Sequence, residues 1–265
     1  MARFAIIETG LWDVPRNEII RAETPEIYAA NLRHTIPGYA LLIQDKKLGN
    51  VLVDTGIDVD WEVTWPNQFK RDYSVHYLSG LDEKLAEVGL SVNEIDLLIC
   101  THLHYDHAGN VKIFQNTRAG KRILISEGDA HEAFVKTAMC PDGVSGAYFR
   151  KEFVMDGIGY QTIQEDVWLS DDVFLFVQRG HTPGVIGVLV KTEENGYFLF
   201  PSDAAYSKLN CGPPVVLPGL CVDPESYRDN IERLRQLQKQ YSAKMVYSHD
   251  VEDFGQWTHA PYFYE

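Results

Sequence analysis

Three histidines and an aspartate fall within six residues in Thr101-His102-Leu103-His104-Tyr105-Asp106-His107. Neutral imidazole and carboxylate are the donors that borderline divalent cations such as Zn²⁺ favour. His102 and His104 stand two apart at the end of a strand-like run, so their rings would point to the same side. Asp106 and His107 follow where the chain turns towards a helix and can aim at a second point. Three more residues of this kind each follow an apolar run: His181 in Gly180-His181-Thr182-Pro183-Gly184, Asp203 in Pro201-Ser202-Asp203-Ala204-Ala205-Tyr206, and His249 in Tyr247-Ser248-His249-Asp250. Any one of them alone reads as structural. Together with the first cluster they predict one centre for two cations. Bound cations acidify water and polarise carbonyl oxygens, so the chemistry expected is metal-assisted hydrolysis.

Such a centre needs strands to carry its residues to one place. Apolar β-rich runs read as strands at Phe4–Glu8, Tyr39–Gln44, Asn50–Asp54, Ile95–Thr101 and Ile123–Ile125 in the first half. The second half repeats the theme at Val173–Gln178, Val185–Lys191, Tyr197–Pro201 and Lys244–Ser248. Leu81–Val88 reads as a helix stopped by Gly89. Ser126 reads as an N-cap with an acid, Asp129, at the third helical position. Asp223 and Pro224 open a long helix whose Tyr227, Ile231, Leu234 and Leu237 form an apolar stripe. Two strand-then-helix halves with no linker between them predict one α/β domain over residues 1–265, with two facing sheets and helices outside. Residues 58–78, rich in Trp61, Trp65, Phe69, Tyr73 and Tyr77, and residues 139–166 read as irregular. Their aromatics suit core or dimer packing as well as a substrate-facing role.

The 265 residues carry a formal charge of −14 and are 45% hydrophobic. That charge disfavours nucleic acid and anionic membrane surfaces, and no apolar run is long enough for a bilayer. The opening Met1-Ala2-Arg3-Phe4-Ala5-Ile6-Ile7 reads as a strand, not a signal peptide, and the expected compartment is the cytoplasm. Cys100, Cys140, Cys211 and Cys221 form no C-x-x-C pair and read as reduced thiols.

The order His-x-His-x-Asp-His, Gly-His-Thr-Pro-Gly, Ser-Asp and late Ser-His, preceded by Val53-Asp54-Thr55-Gly56, resembles the metallo-β-lactamase superfamily over essentially the whole chain. The resemblance implies a four-layer αββα sandwich with two metals at one edge of the sheets. It implies His102, His104 and His181 on one cation, Asp106, His107 and His249 on the other, and Asp203 bridging both. Asp54 would orient a ligand histidine, or else cap the turn before Gly56. Zinc comes first, with Mn, Fe or Co suiting similar ligands.

Within the superfamily the chain is similar to the N-acyl-homoserine lactonases and related small-molecule lactonases, including pyridoxolactonase. Asp203-Ala204-Ala205-Tyr206 looks like their Asp-Ala-x-Tyr segment, and Tyr247–Phe254 resembles the pyridoxolactonase ending. Val185 stands where many of these lactonases have histidine. The implied activity is opening of a small lactone, an N-acyl-homoserine lactone (hence quorum quenching) or a related ester ring. A hydroxide shared by the cations would attack, Tyr206 would steady the oxyanion, and Asp106 would pass a proton to the leaving alkoxide. The alternatives are a thioesterase or other hydrolase on the same scaffold, and a non-catalytic metal-binding module. Completeness of the ligand set counts against the module. A homodimer is an expectation from the aromatic-rich segments alone.

Overall fold

The computed structural model describes all residues from Met1 to Glu265. Its first sheet uses β1 (Arg3–Pro15), β2 (Arg33–Asp45), β3 (Gly49–Val53), β4 (Ser74–Leu78), β5 (Leu97–Ile99) and β6 (Ile123–Ser126). A small hairpin, β7 (Val144–Ser145) with β8 (Tyr148–Phe149), intervenes before β9 (Tyr160–Ile163) completes that sheet in the order β4-β1-β2-β3-β5-β6-β9. The second sheet runs β10 (Val167–Trp168), β11 (Val173–Gln178), β12 (Val185–Lys191), β13 (Tyr197–Phe200) and β14 (Lys244–Met245), in that spatial order.

Strand neighbours point to opposite faces, and this divides the apolar residues between layers. On β1, Ile6 joins Leu41, Val51, Ile186, Val188 and Phe198 in the core between the sheets. Its neighbour Ile7 joins the outer core, where Leu81, Leu85 and Ala133 arrive from the helices Leu81–Glu87 and Glu127–Met139. The far face of the second sheet buries Tyr227, Ile231 and Leu234 of the helix Pro224–Tyr241. That helix starts as its residues predict: Asp223 accepts from the Glu225 and Ser226 amides, with Pro224 in the first turn. The layers are therefore helix, sheet, sheet, helix.

Strand direction sets where chemistry collects. β3, β5 and β6 run parallel. β11 and β13 both run antiparallel to β12, and β13 is parallel to β14. The C-terminal ends of β3, β5, β11, β13 and β14 hand the chain on to Asp54, the His102–His107 segment, His181, Asp203 and His249. Non-glycine residues with positive φ follow both β3 and β13, Asp54 (63°) directly after β3 and Ser202 (51°) two residues past the end of β13. Such a conformation costs about 1–3 kcal/mol and collects at functional sites.

The segments that read as irregular are structured. Residues 58–78 hold the helices Trp61–Thr64 and Asn67–Asp72 and the edge strand β4. Residues 139–166 hold the β7–β8 hairpin, the helix Arg150–Phe153 and β9. These elements are too short to show a period. Trp65 and Tyr73 are buried and Phe69 is half-buried: they pack on Tyr105 and Phe149, with ring centroids 4.8–6.5 Å apart. β1 and β2 outrun their predicted spans because Gly10, Pro15 and Pro37 break the apolar run but not the pairing, which continues from Gly10–Gly38 to Pro15–Arg33 past an irregularity at Glu8/Gly10. No helix is long and apolar enough to cross a membrane.

One buried acid opposes this packing. Glu152 lies in the helix Arg150–Phe153, and neither carboxyl oxygen has a hydrogen-bond partner. Burial, with Asp58 and Asp106 nearby, holds its pKa well above the ordinary 4.5. An acid held protonated by the fold contributes its stability in full below the unfolded pKa and loses it as pH rises towards the raised value. Glu152→Gln removes that loss. Thermal unfolding should show the variant gaining on the wild type as pH rises from about 5 to about 8, and a constant difference across that range would contradict this account.

Candidate metal centre

All seven predicted donor residues converge. His102, His104, His181 and Asp203 have donor atoms within 4.8 Å of one another, and so do Asp106, His107 and His249. Asp203 faces both groups. Its Oδ2 lies 3.6 Å from His102 Nε2 and 3.5 Å from His181 Nε2. Its Oδ1 lies 3.2 Å from both His107 Nε2 and His249 Nε2. Asp106 Oδ2 stands 3.5 Å from His249 Nε2 and 3.8 Å from His107 Nε2.

The outer ring nitrogens decide what the inner ones present. His107 Nδ1 lies 2.8 Å from Asp54 Oδ2, His181 Nδ1 is 3.1 Å from the Leu220 carbonyl, and His249 Nδ1 is 3.1 Å from the Pro37 carbonyl. Carbonyls and carboxylates only accept, so these three Nδ1 atoms carry the protons. In the neutral ring each Nε2 is then a bare lone pair turned inwards. Three inward nitrogens, His102 Nε2, His104 Nδ1 and His181 Nε2, face each other at 3.0–3.3 Å. Buried His107 Nε2 and Asp203 Oδ1 have no hydrogen-bond partner. Lone pairs and carboxylates converging in this way fit divalent cations, with three histidines in one half and two histidines with Asp106 in the other.

The electrostatics agree. Burial pushes His102 and His104 well below the ordinary histidine pKa, and His181 below it. Burial opposes charge on His107 and His249 too, but Asp203 and Asp106 outweigh it and raise both, with Asp54 adding to His107. The first group is a neutral nitrogen donor set, and the second demands positive charge.

A frame of buried hydrogen bonds holds the donors. Asp54 accepts from the Thr101 amide at 2.7 Å and the Thr101 hydroxyl at 2.8 Å, and the Ser202 hydroxyl reaches Thr101 Oγ1 at 2.9 Å. Asp54 thus ties β3 to β5 while gripping His107, and the orienting reading fits it better than a turn cap. Asp54→Asn presents an amide that can donate to Thr101 or accept from His107, but not satisfy all three partners. It is expected to weaken metal retention about 10–100-fold, read by chelator competition on folded protein; undiminished retention would remove Asp54 from this role.

The structure also shows a residue that reading the chain missed. Asp129, at the third position of its helix, accepts from the Leu103 amide at 2.8 Å and from Tyr148 at 2.6 Å. Ser126 caps that helix as predicted, yet the acid reaches across to the His102-Leu103-His104 turn instead of back to the cap. Tyr148 in turn packs 4.5 Å from the His104 ring. An acid three residues after a cap was the available signal, but it pointed to helix capping. Tyr206 is buried, and its hydroxyl lies 2.9 Å from His181 Nδ1. His104 and His181 line a cleft of about 300 Å³ together with Lys136, Tyr148, Leu220 and Val222.

Comparison with known proteins gives this centre a lineage. A profile described as the Metallo-beta-lactamase superfamily matches residues 35–249, from β2 to the last of the converging histidines. The chain belongs to the metallo-β-lactamase superfamily. Among curated superfamily members, N-acyl homoserine lactonase AiiB of Agrobacterium fabrum is 31% identical over 232 residues, covering 83% of this chain and 81% of that protein. N-acyl homoserine lactonase AiiA of Bacillus thuringiensis subsp. kurstaki is 27% identical over 223 residues, 82% of each. In fold, this superfamily member superposes on an AiiA variant of B. thuringiensis with N-decanoyl-L-homoserine bound, at a TM-score of 0.83 and 23% identity over 99% of this chain and 98% of that one. The metallo-β-lactamase fold predicted from the motifs is therefore the fold found.

Proposed function

We propose that this metal-dependent hydrolase opens the ester ring of a small lactone, of the N-acyl-homoserine lactone kind or related to it. The observation that carries the reading is a phenol, Tyr206, 2.9 Å from His181 Nδ1 and so beside a complete two-cation donor set, of which His104 and His181 line a small cleft. The likeness in sequence to two N-acyl homoserine lactonases over about four-fifths of the chain supports it. In this reading His102, His104 and His181 hold one cation, Asp106, His107 and His249 the other, and Asp203 serves both. Bound divalent cations, zinc first, would supply acidified water and polarise the ester carbonyl.

The chain's own groups do the rest. His181 Nδ1–H is shared between the Leu220 carbonyl and the Tyr206 oxygen. Tyr206 accepts that bond and keeps its own proton to donate. Burial raises the phenol pKa well above 10, so the proton stays on through neutral pH. It is available to the oxyanion that develops on the lactone carbonyl. Asp106, facing His107 and His249, takes a proton given up by the attacking water and passes it to the alkoxide as the ring C–O bond breaks. No covalent bond to the protein is needed.

The test is a hydrolysis screen of metal-reconstituted protein over acyl-homoserine lactones, plain γ- and δ-lactones, aromatic lactones and thioesters. Ring opening with acid release from at least one lactone class, faster than from any thioester, is the expected result. A preference for thioesters would assign the centre to the alternative chemistry on this scaffold.

A further inference from the structure

One acid stands in the aromatic wall beside the centre, and the mechanism does not use it. Glu18 lies on the short helix Arg16–Ile19 that follows β1. Its backbone carbonyl accepts from the Gly219 and Leu220 amides at 3.0 and 3.2 Å. Both residues line the cleft over His104 and His181, and the Leu220 carbonyl holds His181 Nδ1. The Glu18 backbone is therefore stitched directly to the cleft wall.

The side chain is held from the other side. The Tyr73 hydroxyl donates to the carboxylate, 2.8 and 2.7 Å from its two oxygens. Tyr73 stacks on Phe69 and packs edge-on against Trp65 and Tyr105, so its hydroxyl is fixed in place. The carboxylate is near enough to Asp106 and Tyr206 for its charge to bear on both.

Tyr73 is the one protein donor to the Glu18 carboxylate. An ionised carboxylate has room for about four hydrogen bonds, and here a single hydroxyl donates. Arg33 acts on it only through space, without an ion pair. Burial pushes its pKa up to about 7, against the Tyr73 bond that lowers it. Glu18 is half-buried, so water or a donor group can reach the lone pairs that Tyr73 leaves free. Its backbone is bonded to the cleft wall, and its charge bears on Asp106 and Tyr206, the two groups that act on the reacting ester.

We propose that Glu18, aimed by Tyr73, is a specificity-determining residue that accepts a hydrogen bond from an N–H or O–H group on the body of the substrate, beside the ester to be opened. This rests on the lactonase reading and narrows it. Lactones that carry an amide, ammonium, ring N–H or hydroxyl donor near the ring are taken in preference to purely alkyl lactones. A substrate donor that reaches Glu18 bonds to a charged acceptor, and removing such a bond costs about 10–100-fold in kcat/KM.

The experiment compares wild type, Glu18→Ala and Tyr73→Phe on matched pairs. The first pair is an α-acylamino-γ-butyrolactone and its N-methylated twin; the second is an aromatic lactone with and without a ring hydroxyl. The wild type is expected to prefer the donor-bearing member of at least one pair by about tenfold or more, mainly through KM. Both variants should bring that ratio to within about twofold while metal content stays at the wild-type level. Tyr73→Phe keeps the aromatic packing, so it answers the question even if Glu18→Ala folds poorly. A preserved preference in the variants, an equal loss on both members, or a wild type indifferent to the donor overturns this inference and leaves lactone opening standing. A wild type that opens no lactone overturns the lactonase reading, and this inference with it.

Discussion

Asp203→Asn should leave the protein folded but without its full metal complement, and hydrolysis should fall by about 10³-fold or more. The size follows from position. Changing a residue one step behind a ligand costs about 10–100-fold in metal affinity or activity. Asp203 stands in front, with one oxygen 3.2 Å from His107 and His249 and the other 3.5–3.6 Å from His102 and His181. Its loss is felt in both halves, so the two penalties compound. An amide keeps the shape of the side chain but removes the charge that draws positive charge to His107 and His249. Elemental analysis of chelator-free protein, alongside the rate on the best lactone, checks this. A variant that keeps stoichiometric metal would show that Asp203 does not serve both halves.

Tyr206→Phe should do the opposite: retain metal and lose rate, by about 10²-fold in kcat. The structure explains why the two readouts separate. His181 Nδ1 keeps the Leu220 carbonyl at 3.1 Å as its acceptor when the phenol oxygen is gone, so the ring stays aimed. Only the proton offered to the developing oxyanion is lost, and such a donor acts in the transition state more than in the bound substrate. The loss should therefore appear in kcat with KM little changed. A fully active variant would mean that Tyr206 merely packs beside His181 in the aromatic core.

Much of the centre was legible in the chain because metal ligation uses a small alphabet at strand ends. The cluster His102, His104, Asp106 and His107 signals itself by density. His181, Asp203 and His249 signal themselves only by following β11, β13 and β14 with the same chemistry. The supporting residues were harder. Asp54 reads equally as a turn cap, and its grip on His107 appears only once β3 lies beside β5. Asp129 reads as a capping acid, and nothing local says that its carboxylate will reach Leu103. Glu18 and Tyr73 are 55 residues apart and belong to no motif. Strands β4 and β9 escaped notice because a short strand shows too few alternations to betray its faces.

Local chemistry and periodicity were enough to determine the kind of protein: layered α/β, acidic, with imidazoles and carboxylates gathered for cations. Side-chain type and spacing along one strand or helix carry that information, since they depend on neighbours a few residues away. The tertiary structure alone decided which lone pairs face each other, which oxygens of Asp203 face which half, and which acids bond to the segments that carry the donors. Those outcomes depend on distances between residues remote in the chain, and only the packing of two sheets brings them within hydrogen-bonding reach.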